Sequence, residues 1–236
     1  MDQTKPGRSR LLATLLIVAV APSIGSLAGL WIFTGAIGST IYAICKAILY
    51  GVPAVVAWRS VTRTDVRIGV RAGMTPSVLL WGSASGAAIG SGIVLLWFGW
   101  LDSVVDTDRL LVVMKESGLE RPSRYWLFAA WLILGNSLLE EFVFRWFVDS
   151  RLAGLGMRPL LAIPLSALVF TIHHVIVLAA FFDLPMVLAG SLGVFIGGLL
   201  WSWSLRRWKS LVPGWISHAL VDLAIALVGA SMLGLI

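Results

Sequence analysis

Apolar residues along this chain gather into about seven stretches, each long enough to cross the roughly 30 Å hydrocarbon layer of a bilayer. They cover residues 11–33, 36–58, 78–101, 125–148, 160–182, 186–204 and 212–235, with polar residues marking the breaks. The pattern predicts an all-α fold, a polytopic membrane helical bundle of about seven transmembrane helices, with roughly six to eight as the range. We expect a single integral-membrane domain over residues 1–236. Within it, residues 125–235 form a core that holds the unusual polar positions, and residues 1–124 supply N-terminal spans and a loop.

The breaks alternate in charge. Lys5, Arg8 and Arg10 precede the first stretch, and Arg59, Arg63, Arg67 and Arg71 follow the second. Arg151 and Arg158 divide the fourth from the fifth, and Arg206, Arg207 and Lys209 divide the sixth from the seventh. The other breaks are a bare turn near Gly35, the mixed loop 102–124 and the lone Asp183. Basic residues favour the cytoplasmic side, so the N-terminus is expected in the cytoplasm and the C-terminus outside. The first stretch contains Ala19-Val20-Ala21 behind basic residues, as a cleavable signal would, but its apolar part is longer than such a signal needs. A retained anchor is the expectation.

Composition agrees with that picture. At 58% hydrophobic and 13% charged residues over 236 positions, with mean hydropathy +0.92, the chain is excluded from the ordinary soluble class, which carries about 25% charge. Several of the 12 tryptophans, among them Trp58, Trp126, Trp146 and Trp208, fall at segment ends, where the interface favours indole. The single cysteine, Cys45, reads as a buried thiol. A net charge of +6 reports topology here, and no nucleic-acid partner is expected. Gly82, Gly86 and Gly90 at four-residue spacing, and Gly193 near Gly197-Gly198, predict close helix packing. Asp106-Thr107-Asp108 before an apolar run predicts a short capped helix at the interface. Lys46 lies mid-span, free either to pair with a core acid or to snorkel outward.

The polar positions inside the spans carry the chemistry. Residues 136–145 place Glu140, Glu141 and Arg145 in a segment where an ionised side chain costs roughly 2.5–3.5 kcal/mol. At about 100° per residue, Glu141 and Arg145 share a stripe and can pair, and Glu140 shares the neighbouring stripe with Asn136. The 3 histidines, His173, His174 and His218, all lie in spans. His218 precedes Asp222 by one turn, and Phe170 precedes His174 by one turn. His173 and His174 diverge by about 100°, so one of them is expected to face the acids. Glutamate with histidine around one trapped water is a general-base arrangement, and a second imidazole can donate to an oxyanion. Glu140, His174 and His218 are also a zinc donor set, although the His-Glu-x-x-His helix of zinc proteases is absent. Two other readings use the same residues: a proton-coupled transporter with Glu140, Glu141 and the histidines as relay, and Glu141–Arg145 as a purely structural ion pair.

Taken in order, Glu140-Glu141…Arg145, Phe170…His174 and His218…Asp222 resemble the signature of the CAAX prenyl protease and bacteriocin-processing (CPBP or Abi) family of intramembrane proteases. The resemblance covers roughly residues 125–235. It implies an intramembrane endopeptidase of a bacterial plasma membrane that acts on a membrane-associated or prenylated peptide; the charge alternation and the span depths, not the resemblance, put its site toward the cytoplasmic side. It also implies that Glu140 activates water with His174, while His218 and Asp222 stabilise the tetrahedral intermediate. Asp222 stands where the family has Asn or Asp, and as a poorer donor it is expected to orient His218. Cofactor use stays open between zinc and none. A proteolytically silent immunity or scaffold relative is the remaining alternative.

Depth adds one expectation. Glu140 lies about 12 Å and His218 about 10 Å from the cytoplasmic ends of their spans, but His174 lies about 21 Å from residue 160. Starting that helix at Pro164 reduces its depth to about 15 Å, so residues 160–163 are expected to form an interfacial lead-in.

Overall fold

Helix boundaries follow the prolines. Pro76, Pro122, Pro159, Pro185 and Pro213 each stand in the first turn of a helix, where the missing N–H is not needed and the fixed φ is already helical. The computed structural model describes residues 7–33, 35–61 and 74–236. Lys5, Arg63, Arg67 and Arg71, part of the charge alternation, therefore lie outside the described residues. The helices are α1 (Arg8–Ile32), α2 (Gly35–Val61), α3 (Pro76–Gly99), α4 (Asp108–Glu116), α5 (Pro122–Gly154), α6 (Pro159–Phe181), α7 (Leu184–Trp208) and α8 (Val212–Met232). All but α4 are long and apolar enough to span a membrane, giving 7 candidate spans, and no strand occurs among the described residues. The predicted all-helical bundle is the observed one.

α5 runs through the centre of the bundle. Val143, Phe144, Phe147 and Val148 on it are fully buried against Val18 and Leu15 of α1, Leu49 of α2, Phe170 of α6 and Trp201 of α7. Its path is not a regular α-helix: wider π-helical turns occupy Trp131–Asn136 and Glu141–Val148, on either side of the single α-helical turn Ser137–Glu140. Widened turns of this kind concentrate at functional sites, because they re-aim side chains that a regular helix would point elsewhere.

The predicted glycine seam brings α3 against α8. A β-carbon at Gly86 would lie 2.7 Å from the Ser217 carbonyl oxygen, and one at Gly82 would lie 2.9 Å from the Pro213 carbonyl oxygen. Only glycine permits this approach, which holds α8 at the depth where His218 faces α5. Gly198 plays the same part between α7 and α6, where a β-carbon would meet Ala167 at 3.0 Å. At the far end Tyr125 of α5 donates to the Ala226 carbonyl of α8. The expected short helix is present as α4, with Asp106 Oδ1 accepting the Asp108 N–H at 3.0 Å.

One expectation fails. α6 begins at Pro159, and Pro164 lies inside it, so residues 160–163 are its first turn and form no separate lead-in. Ala162 in that turn is fully buried against the bundle. α5 does not stop at Val148 but continues to Gly154. Counted from those ends, Glu140 and His174 both lie about 20 Å in, and they meet without shortening α6. α8 reaches the same level because its own start is sunk into the protein: Ser210, Val212, Pro213 and Gly214 are buried.

Candidate active site

α5 delivers two adjacent glutamates to opposite edges of one imidazole. His218 Nδ1 donates to Glu141 Oε1 at 3.1 Å, and its Nε2 lies 3.7 Å from Glu140 Oε2. The same Nε2 is 3.7 Å from Asp222 Oδ1, one turn along α8. Nδ1 thus donates to a carboxylate, while Nε2 faces two carboxylate oxygens at a distance longer than a hydrogen bond. Glu141 is also paired with Arg145, Nε to Oε1 at 3.4 Å, with both side chains fully enclosed. Glu141 Oε2 has no hydrogen-bond partner among the described residues and rests against Gly214, where a β-carbon would lie 2.7 Å away.

Aromatic rings hold these polar groups in place. Trp201 of α7 stacks on His218 with centroids 4.0 Å apart and planes at 14°, and its indole N–H donates to Ser217 Oγ at 3.0 Å. Ser85 of α3 donates to the same hydroxyl at 3.0 Å. Phe170 is packed between the charged groups: the Arg145 guanidinium lies 4.4 Å from its centroid, and the rings of His174 and His218 meet it edge-on at 4.5 and 6.0 Å. A cation over an aromatic face keeps part of its stabilisation without water, which is how Arg145 tolerates complete burial.

His174 Nδ1 lies 2.9 Å from the Phe170 carbonyl. A carbonyl only accepts, so Nδ1 carries the proton and Nε2 is left with a lone pair for a water or a metal. The neighbouring residue departs from expectation. His173 does not turn away: Glu140, His173 and His174 each place one ligand atom within 4.8 Å of the others. The two imidazoles lean together, with centroids 4.1 Å apart, and His173 stacks on Phe144 at 5.5 Å. Ring size explains the difference, because two imidazoles that diverge by one helical step still reach a common point.

The zinc donor set expected from sequence was Glu140, His174 and His218. In the structure His173 replaces His218, whose Nδ1 is engaged by Glu141. Two imidazoles and a carboxylate fit zinc by donor type. His174, anchored through Nδ1 to the Phe170 carbonyl with Nε2 left free, is consistent with a ligand role.

Sequence reasoning did not single out Trp201, Ser217, Gly214 or Tyr50 as neighbours of the site. Lys46, undecided from sequence, donates to the Tyr50 hydroxyl at 3.2 Å, and Tyr50 donates to Asn136 Oδ1 at 3.2 Å. Tyr50 follows Lys46 by one turn, a spacing that could have flagged the pair. Glu140 and His218 are nearly closed off, while His174 and Asp222 keep partial exposure and mark the open side of the cluster. Asp149 is buried and accepts a hydrogen bond from Arg206 at 2.6 Å.

No curated protein and no solved structure matches the chain at a significant level. A family model does, over residues 122–224, and its description is type II CAAX prenyl endopeptidase Rce1-like. The matched segment runs from the start of α5 into α8 and holds every acid, histidine and arginine of the cluster. With three motifs converging on one buried site inside it, residues 122–224 of this integral-membrane chain belong to the Rce1-like, CPBP-type family of CAAX prenyl endopeptidases, a family of proteases.

Proposed function

We propose that the protein is an intramembrane endopeptidase that hydrolyses a peptide bond in a membrane-associated or lipidated peptide, with Glu140 as general base. The observation that carries the reading is the meeting of Glu140 from α5, His174 from α6 and His218 from α8 in one enclosed cluster. A water held between Glu140 and the His174 Nε2 lone pair loses its proton to the carboxylate as its oxygen bonds to the scissile carbonyl carbon. The negative charge that develops on the carbonyl oxygen is met by the His218 N–H, which Glu141, Asp222 and the Trp201 face hold in orientation. Glu140 then returns the proton to the amide nitrogen, the C–N bond breaks, and a carboxylate and an amine leave. Arg145 and Glu141 are positioning residues in this scheme. A zinc ion, where bound, would be held by Glu140, His173 and His174 and would supply Lewis-acid polarisation of the carbonyl.

The positive-inside pattern supports a cytoplasmic N-terminus, because Arg8, Arg59, Arg151, Arg158 and Arg206 all fall near helix ends that alternate crossing places on one face. Glu140→Gln is expected to insert normally and to lose at least about a thousandfold in peptide hydrolysis, as loss of a proton-transfer group does. Comparing membrane proteomes of cells carrying the native and Glu140→Gln proteins, read for uncut precursors, identifies the substrate. Full activity in the variant overturns the reading.

A further inference from the structure

Asn136 stands one turn before Glu140, on the same stripe of α5. No role falls to it in the scheme above, yet its orientation is set from another helix. Lys46 of α2 donates to the Tyr50 hydroxyl at 3.2 Å, and that hydroxyl donates to Asn136 Oδ1 at 3.2 Å. An ammonium only donates, so the hydroxyl accepts from Lys46 and passes its own proton on to an acceptor. The amide oxygen therefore faces Tyr50, and Nδ2 points away from it. Nδ2 has no hydrogen-bond partner among the described residues, and Asn136 is only half-buried.

The packing of α5 on α8 brings this free amide to the reacting groups. The two helices run antiparallel, with Tyr125 against Ala226 and Glu141 against His218. One turn from Glu140 along α5 and one turn from His218 along α8, both toward Tyr125, therefore reach the same level, where Asn136 and Asp222 stand. The widened turn that ends at Asn136 packs against α8. His218 can bring one N–H to a developing oxyanion, because Glu141 takes Nδ1. Asp222, 3.7 Å from the remaining Nε2, is a carboxylate and accepts where an amide would donate.

We propose that Asn136 is a further catalytic residue, whose Nδ2 donates a second hydrogen bond to the oxyanion formed from the scissile carbonyl. The proposal rests on the endopeptidase reading and deepens it. A general base stands one hydrogen bond and one attack distance, together about 6 Å, from the carbon it acts on. The rise along α5 from Glu140 to Asn136 is also about 6 Å. A neutral amide of fixed orientation meets the new charge without reorganising, and it leaves the basicity of Glu140 intact where a cation would lower it.

The test is steady-state hydrolysis of a quenched-fluorescence S-prenyl peptide by the full chain in lipid nanodiscs. Asn136→Ala is expected to lower kcat about a hundredfold and leave KM within about twofold, since the bond forms only in the transition state. Adding Asp222→Asn to that variant supplies an amide donor from α8 and is expected to restore at least about tenfold, a gain that a packing role does not predict. Asn136→Asp guards against a folding defect: it keeps the shape and the acceptor for Tyr50, removes the donor, and is expected to lose kcat as alanine does. Hydrolysis by Asn136→Asp within about threefold of native, a loss carried by KM, or no gain from Asp222→Asn overturns the proposal and leaves the endopeptidase reading standing. A native protein that cuts neither this peptide nor any membrane precursor overturns both.

Discussion

Glu141 Oε1 lies 3.1 Å from His218 Nδ1, tying α5 to α8 at the level of the reacting groups. The same oxygen faces Arg145 Nε at 3.4 Å, so one buried carboxylate orients the imidazole and neutralises the guanidinium. Removing that carboxylate strands a buried cation, which typically costs about 3–5 kcal/mol. Glu141→Leu is therefore expected to lower thermal stability in detergent sharply, and Glu141→Leu with Arg145→Met is expected to recover most of the loss. If the double variant melts no higher than the single one, the pair is not the structural unit described.

Asp222 faces the outer edge of His218 at 3.7 Å, and its other oxygen is buried without a hydrogen-bond partner among the described residues. Asparagine retains one acceptor there and adds a donor, so Asp222→Asn is expected to hold peptide hydrolysis within about tenfold of the native rate. Asp222→Leu, which leaves the ring edge without a polar neighbour, is expected to fall by about a hundredfold or more. Equal rates in the two variants would show that Asp222 does not orient His218.

The donor set predicts where a divalent cation binds. Titration of zinc or cobalt into the purified protein, read by equilibrium dialysis, is expected to show at least about a tenfold loss of affinity in His173→Ala. Asp222→Asn, outside the Glu140–His173–His174 group, is expected to leave that affinity unchanged. Loss of binding in Asp222→Asn alone would move the site.

Gly86 and Gly92 share α3 but differ in surroundings. A methyl group at Gly86 meets Ser217 and Leu220 at under 3 Å, whereas at Gly92 nothing lies within 4 Å. Gly86→Ala is expected to destabilise by about 1–3 kcal/mol through overpacking. It should also reduce hydrolysis, because Ser217 is adjacent to His218. Gly92→Ala is expected to be neutral or slightly stabilising, since alanine is the better helix former by about 1 kcal/mol. Matching melting curves for the two variants would remove the seam from the argument.

The motif residues were legible because their cost is local. An acid in an apolar span is anomalous wherever the span ends up, so Glu140, Glu141, His174, His218 and Asp222 stand out from the chain itself. His173 was misread for a geometric reason: helical phase gives the direction of a Cβ, not how far an imidazole reaches. Trp201 was invisible because a tryptophan in an apolar helix carries no sign of which ring it will stack on. The start of α6 was misplaced because its depth was measured against an α5 that ends six residues too early.

By itself the sequence determined the helical class, the seven helices long and apolar enough to cross a membrane and the residues that must find partners, since a bilayer leaves an apolar segment few alternatives and makes every buried charge conspicuous. Tertiary structure alone decided the pairings: which edge of His218 each glutamate meets, that His173 joins Glu140, and that Lys46 rests on Tyr50. Those depend on helix rotation and depth, which are set by glycine contacts, sunken helix starts and widened turns between residues far apart in the chain.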